Sequence, residues 1–519
     1  MNTSWKKVQI GRQQQQEEKF QVSLQTDQLC RNVCSQVTDF TSARNFWLRR
    51  MGIRLLAKDP FYFEEATIFD IQEAFKNGSL NSYQLVNHYL DQIRALNPHL
   101  NAVLEVNPDA RNAGGNLSLL HGIPILVKDN INTRDKLNTT SGSFALLGSI
   151  VPQDAGVIQK LRKVGAIILG KATMSEWDNF RSLDIKQGWS PRGGQGRNPY
   201  PTTYSPCGSS SGSAIAVAAN LVTISLGTDL DGAITCPAIM NSVVGIKPTA
   251  QTIGPMARTM ADAVTLLDVI VGFDPLDANA TTTASRFIPI DGFQKSLKDD
   301  GLKGKRLGIL RQSFSNYYSE GSMEANTFEM PFQTMRLKGA TLVDNIELKN
   351  VEITQNVTAT GEATALLAEF KLSLNAYLKD LVSSPVRSLA DVIEFNNQHP
   401  IEERVKEYGQ QIFLASQQTN GIGEAEKIAI KRMAQLSKEG MEDLIQEKSL
   451  DAVVFPGFSL SHSMAIGGFP IINVPAGYNN SGAPFGISFA GLQGSNATLI
   501  EIAYAFEKAT KVRKPPPLI

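Results

Sequence analysis

The sequence predicts a layered α/β protein, and three observations carry that expectation. Short apolar runs rich in β-branched residues, such as "LHGIPILVKDNI" (120–131) and "LDAVVFPG" (450–457), alternate with segments of helical periodicity. In "DAGVIQKLRKVGAIILGKATMSEW" (154–177) a helix, a glycine turn and a strand follow one another directly, and "GLKGKRLGIL" (301–310) repeats the pattern. The chain has 519 residues, 42% of them hydrophobic, which is enough to bury a large core.

In chain order, residues 1–58 stand apart. They hold a glutamine run (Gln13 to Gln16) and then "RNFWLRRMGIRLLAKDP", which has the character of a basic amphipathic helix. They are expected to form a poorly ordered or targeting-like extension. Residues 59–519 are expected to form one α/β domain. Within it, "TIFDIQEAFKNG" (67–78) places Ile68, Ile71, Ala74 and Phe75 at helical spacing, with Asn77-Gly78 as its stop. "SYQLVNHYLDQIRALNP" (82–98) repeats the spacing with Leu85, Tyr89 and Ile93, and Ser82 is the expected cap. His88 and His99 read as exposed helix histidines. "LKDLVSSPVRSLADVIEFNNQHP" (378–400) reads as part of an inserted helical segment.

Charge excludes some partners. Lys+Arg and Asp+Glu balance at 50 each, so nothing electrostatic favours nucleic acid or an anionic membrane. No apolar run reaches the length of about 18 residues that a membrane span needs. The N-terminus lacks the apolar core of a secretory signal. The expected location is therefore the cytoplasm, with organelle targeting by the extension as the alternative. The cysteines at 30, 34, 207 and 236 have no metal-ligand spacing, and Cys207 and Cys236 read as small packed core residues.

Three pieces carry chemistry. Lys128 ends an apolar strand-like run, where burial would disfavour its charge and let it act as a base. Ser209 to Ser211 sit in a glycine-flanked turn before an alanine-rich helix, where free amides can orient a hydroxyl or hold negative charge. "TDLDGA" (228–233) is a glycine turn whose consecutive N–H groups can form an oxyanion hole. No Lys-Ser/Thr pair follows the glycines, which excludes a phosphate loop, and no histidine stands in an evident catalytic motif.

These residues, with their neighbours, resemble the amidase signature family. The blocks are "HGIPILVKDNI", "TTSGSFAL" (139–146), "GKATMSEW" (170–177), "GWSPRGGQGRNPY" (188–200) and "CGSSSGSAIAVAANLVTISLGTDLDGAITCPA" (207–238). "GIKPT", "GPMARTMADA", "FPIINVPAGY" and "PFGISFAGLQGS" follow in the family's order, so the likeness runs from about residue 60 to the end. It is most similar to the peptide-amidase-like branch. The resemblance implies a large mixed, twisted β-sheet flanked by helices on both faces, and hydrolysis of carbon-nitrogen amide bonds without metal or organic cofactor. The implied substrate is a small-molecule or peptide amide. The implied triad is Ser-Ser-Lys, with the lysine at Lys128 and a bridging serine, held by a cis peptide bond, at Ser209. The nucleophilic serine falls 24 residues further on, at Ala233. The implied oxyanion donors are the amides of Leu230, Asp231, Gly232 and Ala233.

Two departures matter. Ala233 has no hydroxyl to form an acyl-enzyme, and Thr235 and Ser209 are poorly placed to replace it. After Thr249 a stretch that the family carries before its "GPM" block is missing, beside the expected site. The reading is an amidase-family hydrolase impaired at its nucleophile. The alternatives are a non-catalytic binding or scaffold protein on the same fold, or a relative of the glutamine-hydrolysing subunit of glutamyl-tRNA amidotransferase.

Overall fold

Every residue of the strands Pro124–Lys128 (β2), Ile167–Ala172 (β3), Ala452–Pro456 (β11) and Pro484–Ala490 (β13) is buried. Successive side chains of a strand point to opposite faces, so both faces of the sheet they form are covered. The computed structural model describes residues 61–112, 118–249, 252–313, 328–344 and 346–517. The expected extension over 1–58 lies outside them. The remaining strands are Val103–Val106 (β1), Trp189–Ser190 (β4), Gly194–Gln195 (β5), Ile224–Thr228 (β6), Val244–Lys247 (β7), Ile253–Ala257 (β8), Arg306–Ile309 (β9), Thr341–Val343 (β10) and Ile471–Tyr478 (β12).

Eleven strands make one sheet in the order β1-β3-β2-β6-β8-β7-β12-β13-β11-β9-β10, and β4 and β5 pair separately. The sheet is mixed, as the sequence led us to expect. β2 lies parallel to both β3 and β6, with Ile125 opposite Ile168 on one side and Ile224 on the other. β6, β8, β7 and β12 then alternate antiparallel. The helices Ser211–Ala218, Thr235–Met240, Met260–Ile270 and Asn496–Thr510 pack on these strands. Ser211–Ala218 is buried along its whole length, which its small residues permit. Among the described residues no helix is long and apolar enough to cross a membrane.

The two N-terminal helices form where their periodicity placed them, at Ile68–Lys76 and Ser82–Leu100. The cap of the second is Asn81 rather than Ser82. The Asn81 carboxamide accepts from the Gln84 amide and Gln84 answers to the Asn81 amide, a reciprocal pair that a serine one residue on cannot make. His88 is not exposed as expected but half-buried, stacked on Phe63 at 3.8 Å between ring centroids.

The helical insert packs through Leu374, Leu378, Leu389, Val392 and Phe413 against Ala145, Leu146 and Trp177 of the sheet domain. One buried ionic group ties the two. Arg181 Nη1 donates to Glu176 at 2.8 Å and pairs with Glu403 at 3.2 Å, and all three side chains are fully buried. Glu403 also accepts from Ser143 Oγ at 3.0 Å and the Phe144 amide at 2.9 Å. Burial pushes the Glu176 carboxyl well above its usual range, and Arg181 works against that. Removing the guanidinium leaves two carboxylates facing each other without water. Arg181→Met is expected to lower unfolding free energy by about 3–5 kcal/mol, read by urea denaturation. A change under about 0.5 kcal/mol, the scale of an ordinary surface substitution, would show that the group does not hold the insert.

Candidate active site

Parallel neighbours end at the same edge of a sheet, so the segments leaving β3, β2 and β6 converge. Lys128 is the last residue of β2 and Thr228 the last of β6. Lys128 is fully buried. Its Nζ lies 2.6 Å from Ser209 Oγ, 2.6 Å from Asp178 Oδ1 and 2.7 Å from Thr228 Oγ1. Burial pulls its pKa below the ordinary lysine value, as the sequence led us to expect, while the charges of Asp178 and Asp229 oppose that fall.

Asp178 is the residue the sequence reading missed. It follows directly on the "GKATMSEW" block and 50 residues after Lys128, a separation that carries no signal. The segment after β3 brings it in through a tight bend: Trp177, Asp178 and Asn179 have φ of 49°, 56° and 67°. Aspartate and asparagine tolerate that region, whereas tryptophan is rare there. Trp177 stays because its ring is buried against Phe413, at 5.8 Å between centroids. The bend is fastened at both ends, by the Ser175 amide to the Ser209 carbonyl at 3.0 Å and the Trp177 amide to the Ser141 carbonyl at 2.9 Å. Asn130 Nδ2 donates to Asp178 Oδ2 at 3.0 Å and to Thr228 Oγ1 at 3.1 Å.

Ser209 follows a cis peptide bond from Gly208. A Cβ at Gly208 would stand 2.3 Å from Ser175 Oγ, so only glycine fits that approach. The serine run is less open than expected. The Ser210 amide donates to the Ala233 carbonyl at 3.1 Å and the Gly212 amide to the Thr173 carbonyl at 3.0 Å, so neither is free to hold a ligand. Ser210 Oγ donates to the Thr228 carbonyl at 3.0 Å and accepts from the Thr228 amide at 3.1 Å, which fixes this turn to the end of β6. Cys207 and Cys236, expected as free core cysteines, are joined in a disulfide with Cα atoms 5.9 Å apart. Their separation in sequence hid a pairing that the fold creates by bringing the two turns together.

The turn after β6 is built around Asp229. Its buried carboxylate accepts from the amides of Ile234 at 2.7 Å and Thr235 at 3.1 Å. Burial raises its pKa, and these bonds with the charge of Lys247 hold it back. The four intervening amides, of Leu230, Asp231, Gly232 and Ala233, have no acceptor among the described residues. Gly232 has φ of 78°, and a Cβ there would lie 2.8 Å from Ser461 Oγ. Ala233 is partly exposed and offers only a methyl group. Thr235 is fully buried and cannot take its place at the surface of the site. β7 ends at Lys247 and β8 begins at Ile253. The Thr252 carbonyl accepts from the Asp229 amide at 2.6 Å, so the residue just before β8 borders the site, and β7 and β8 are paired.

Asp231, Gly232, Gly208 and both disulfide cysteines line a cavity of about 650 Å³. His462, which also lines the cavity, carries no motif in the sequence. Its Nδ1 lies 2.6 Å from Asp231 Oδ2 and its Nε2 lies 2.9 Å from Glu362 Oε2. Burial opposes a charge on the ring, but the hydrogen bonds and charges of both carboxylates outweigh it and push the pKa up to about 10. A folded-state pKa above the ordinary histidine value of about 6.5 gives stability that is complete below pH 6.5 and lost as pH rises through about 10. Urea unfolding between pH 6.5 and 10 is expected to show that loss in the unaltered chain and not in His462→Gln. Equal slopes in the two would mean that the ring is not held protonated.

Comparison with known proteins identifies the family of this fold. The Amidase family model matches residues 84–465. A probable amidase of Arabidopsis thaliana is 52% identical over 487 residues, covering 88% of this chain and 93% of that protein. The native peptide amidase of Stenotrophomonas maltophilia superposes with a TM-score of 0.81 at 38% identity, covering 88% of this chain and 99% of that one. A glutamyl-tRNA(Gln) amidotransferase subunit of Bdellovibrio bacteriovorus is 28% identical over 504 residues, covering 86% of this chain and 98% of that protein. With the family model spanning most of the chain and the sheet superposing over nearly all of a peptide amidase, the protein belongs to the amidase family of amide-bond hydrolases.

Proposed function

We propose that this chain binds small-molecule or peptide amides in the cavity beside residues 230–233 and that its acyl-transfer step is disabled at Ala233. The observation that carries this reading is the turn itself. Four consecutive amides stand without acceptors among the described residues, two of them on residues that line a cavity, Asp231 and Gly232, and the last on a residue whose side chain has no hydroxyl. Donors in that arrangement suit a carbonyl oxygen that gains charge as it becomes tetrahedral. In the reading carried over from the family, Lys128 draws a proton through Ser209 from the hydroxyl at position 233. That oxygen attacks the amide carbon, the amine leaves with a proton, and water later frees the acyl group. With alanine there, polarisation of the carbonyl remains and covalent capture does not.

The likeness to a peptide amidase supports a peptide amide or similar primary amide as the ligand. Neither metal nor organic cofactor enters the reading. The Cys207–Cys236 disulfide weighs toward an oxidising compartment rather than the cytoplasm, because such bonds persist where thiols are not kept reduced.

Loss of the nucleophile is expected to lower turnover by about six orders of magnitude, leaving about 10³–10⁴ over water from binding and the oxyanion donors. The test is intact-mass labelling by a serine-directed fluorophosphonate at pH 10, with peptide-amide hydrolysis measured in parallel. The expected result is one adduct on Ala233→Ser and none on the unaltered chain. Hydrolysis by the unaltered chain at the rate of an intact serine amidase would overturn the reading.

A further inference from the structure

Lys128 can act as a base only if it has a lone pair to offer, and its surroundings leave no place for one. An ammonium carries three N–H donors and no acceptor. Three oxygens stand around Nζ at 2.6, 2.6 and 2.7 Å: Asp178 Oδ1, Ser209 Oγ and Thr228 Oγ1. These three near acceptors are enough for three donors, and a fourth oxygen, the Thr228 carbonyl, stands further off at 3.4 Å. The Ser209 hydroxyl is turned the same way. Its Oγ lies 2.5 Å from the Asp178 oxygen that also receives Lys128, and an ionised carboxylate can only accept, so the hydroxyl proton points there and not at the amine. The other carboxylate oxygen is held by Asn130, which keeps Asp178 aimed inward although its side chain is 34% exposed.

We propose that Asp178 locks the Lys128–Ser209 pair in its proton-saturated form, so that the site is silenced twice, at residue 233 and at the base. The proposal rests on the reading of residue 233 as the nucleophile position. Its chemistry is a matter of proton balance. In Ala233→Ser, the oxygen at 233 attacks phosphorus, the O–P bond forms and the P–F bond breaks with loss of fluoride. The hydroxyl proton passes to Ser209 Oγ as the proton of Ser209 passes to Lys128 Nζ. An ammonium cannot take that proton. Lys128 must first lose one to solvent, and Asp178 opposes that loss.

Other charges face the amine less directly. Asp229, on the turn after β6, opposes the fall in the lysine pKa through its charge alone, behind Asp178. Asp129 is next in the chain, but its carboxylate accepts from Thr140 and from the Gly142 amide and is balanced by Lys171 and Arg192. Asp178 is therefore the one carboxylate among these in contact with both members of the pair.

Two measurements test this. The first is the Nζ resonance of Lys128 in ¹⁵N-lysine-labelled unaltered chain, assigned by its loss in Lys128→Met. An ammonium signature up to pH 9 is expected, with the midpoint moving down by about 1–2 pH units in Asp178→Asn. A neutral amine at pH 7.5 in the unaltered chain, or one midpoint for both chains, overturns the lock. The second is the fluorophosphonate labelling rate of Ala233→Ser and of Ala233→Ser with Asp178→Asn, from pH 6 to 10. The double variant is expected to show a profile displaced to lower pH by the same amount and about 10–100-fold faster labelling at pH 7.5. Identical profiles overturn the lock and leave the reading of residue 233 standing. No labelling of either variant, with a displaced lysine midpoint, supports the lock and overturns the reading of residue 233. Asp178→Ala repeats the comparison without an amide that could itself donate into the site.

Discussion

The carboxyl edge of the sheet is organised by one requirement: a lysine side chain with no access to water must have every donor satisfied. Lys128 is carried to full burial by β2, whose residues are all enclosed between layers. An unpaired ammonium there would cost several kcal/mol. Its partners come from three different segments, Ser209 before the helix Ser211–Ala218, Thr228 at the end of β6 and Asp178 after β3. Parallel pairing of β3, β2 and β6 makes this possible, because it brings the three exits to one edge. An antiparallel neighbour would have sent one of them to the opposite end of the sheet.

The same requirement shapes the rest of the site. The serine turn is fixed to β6 through Ser210 and to the segment after β3 through the Ser209 carbonyl. The disulfide joins residues 207 and 236, just outside Ser209 on one side and Ala233 on the other, so the two turns cannot separate. Asp229 gathers the amides of Ile234 and Thr235, and the four before them have no acceptor among the described residues, with Asp231 and Gly232 lining the cavity. Further out, Arg181 connects the segment bearing Asp178 to the helical insert through Glu176 and Glu403. Lys128 is thus the centre of a frame in which each layer orients the one inside it.

Much of this was legible in the sequence, and the limits have physical causes. β2, β3, β6 and the serine turn could be placed because their local patterns are strong: apolar runs ending in polar residues, and small residues opening a buried helix. Lys128, the run Ser209 to Ser211 and the turn 228–233 were singled out by residue type and local pattern, and the family resemblance named Ser209 and the amides of 230–233 within them. Asp178 was not, because its role depends on a bend with three left-handed residues and on a partner 50 positions away. His462 escaped for the same reason, as its two carboxylate partners come from residues 231 and 362. The disulfide and the Arg181 group are likewise products of chain crossing. What the sequence hides is which charges meet.

A base and a stably buried lysine make opposite demands on their surroundings. A base needs its amine kept neutral, by a dry pocket without a nearby carboxylate and with a hydroxyl proton aimed at the lone pair. A stable buried lysine needs a carboxylate in contact and acceptors for all three protons. Active sites meet the first demand at some expense to folding. Around Lys128 the geometry meets the second. That choice is coherent with Ala233, because where no hydroxyl waits to be deprotonated, nothing in the site requires the amine to be neutral. The carboxylate of Asp178 then serves folding without cost to chemistry. On the proposed reading, the alanine at 233 and the aspartate at 178 are therefore consistent with each other: the contacts around Lys128 serve as structure, while Asp231 and Gly232 still line the cavity.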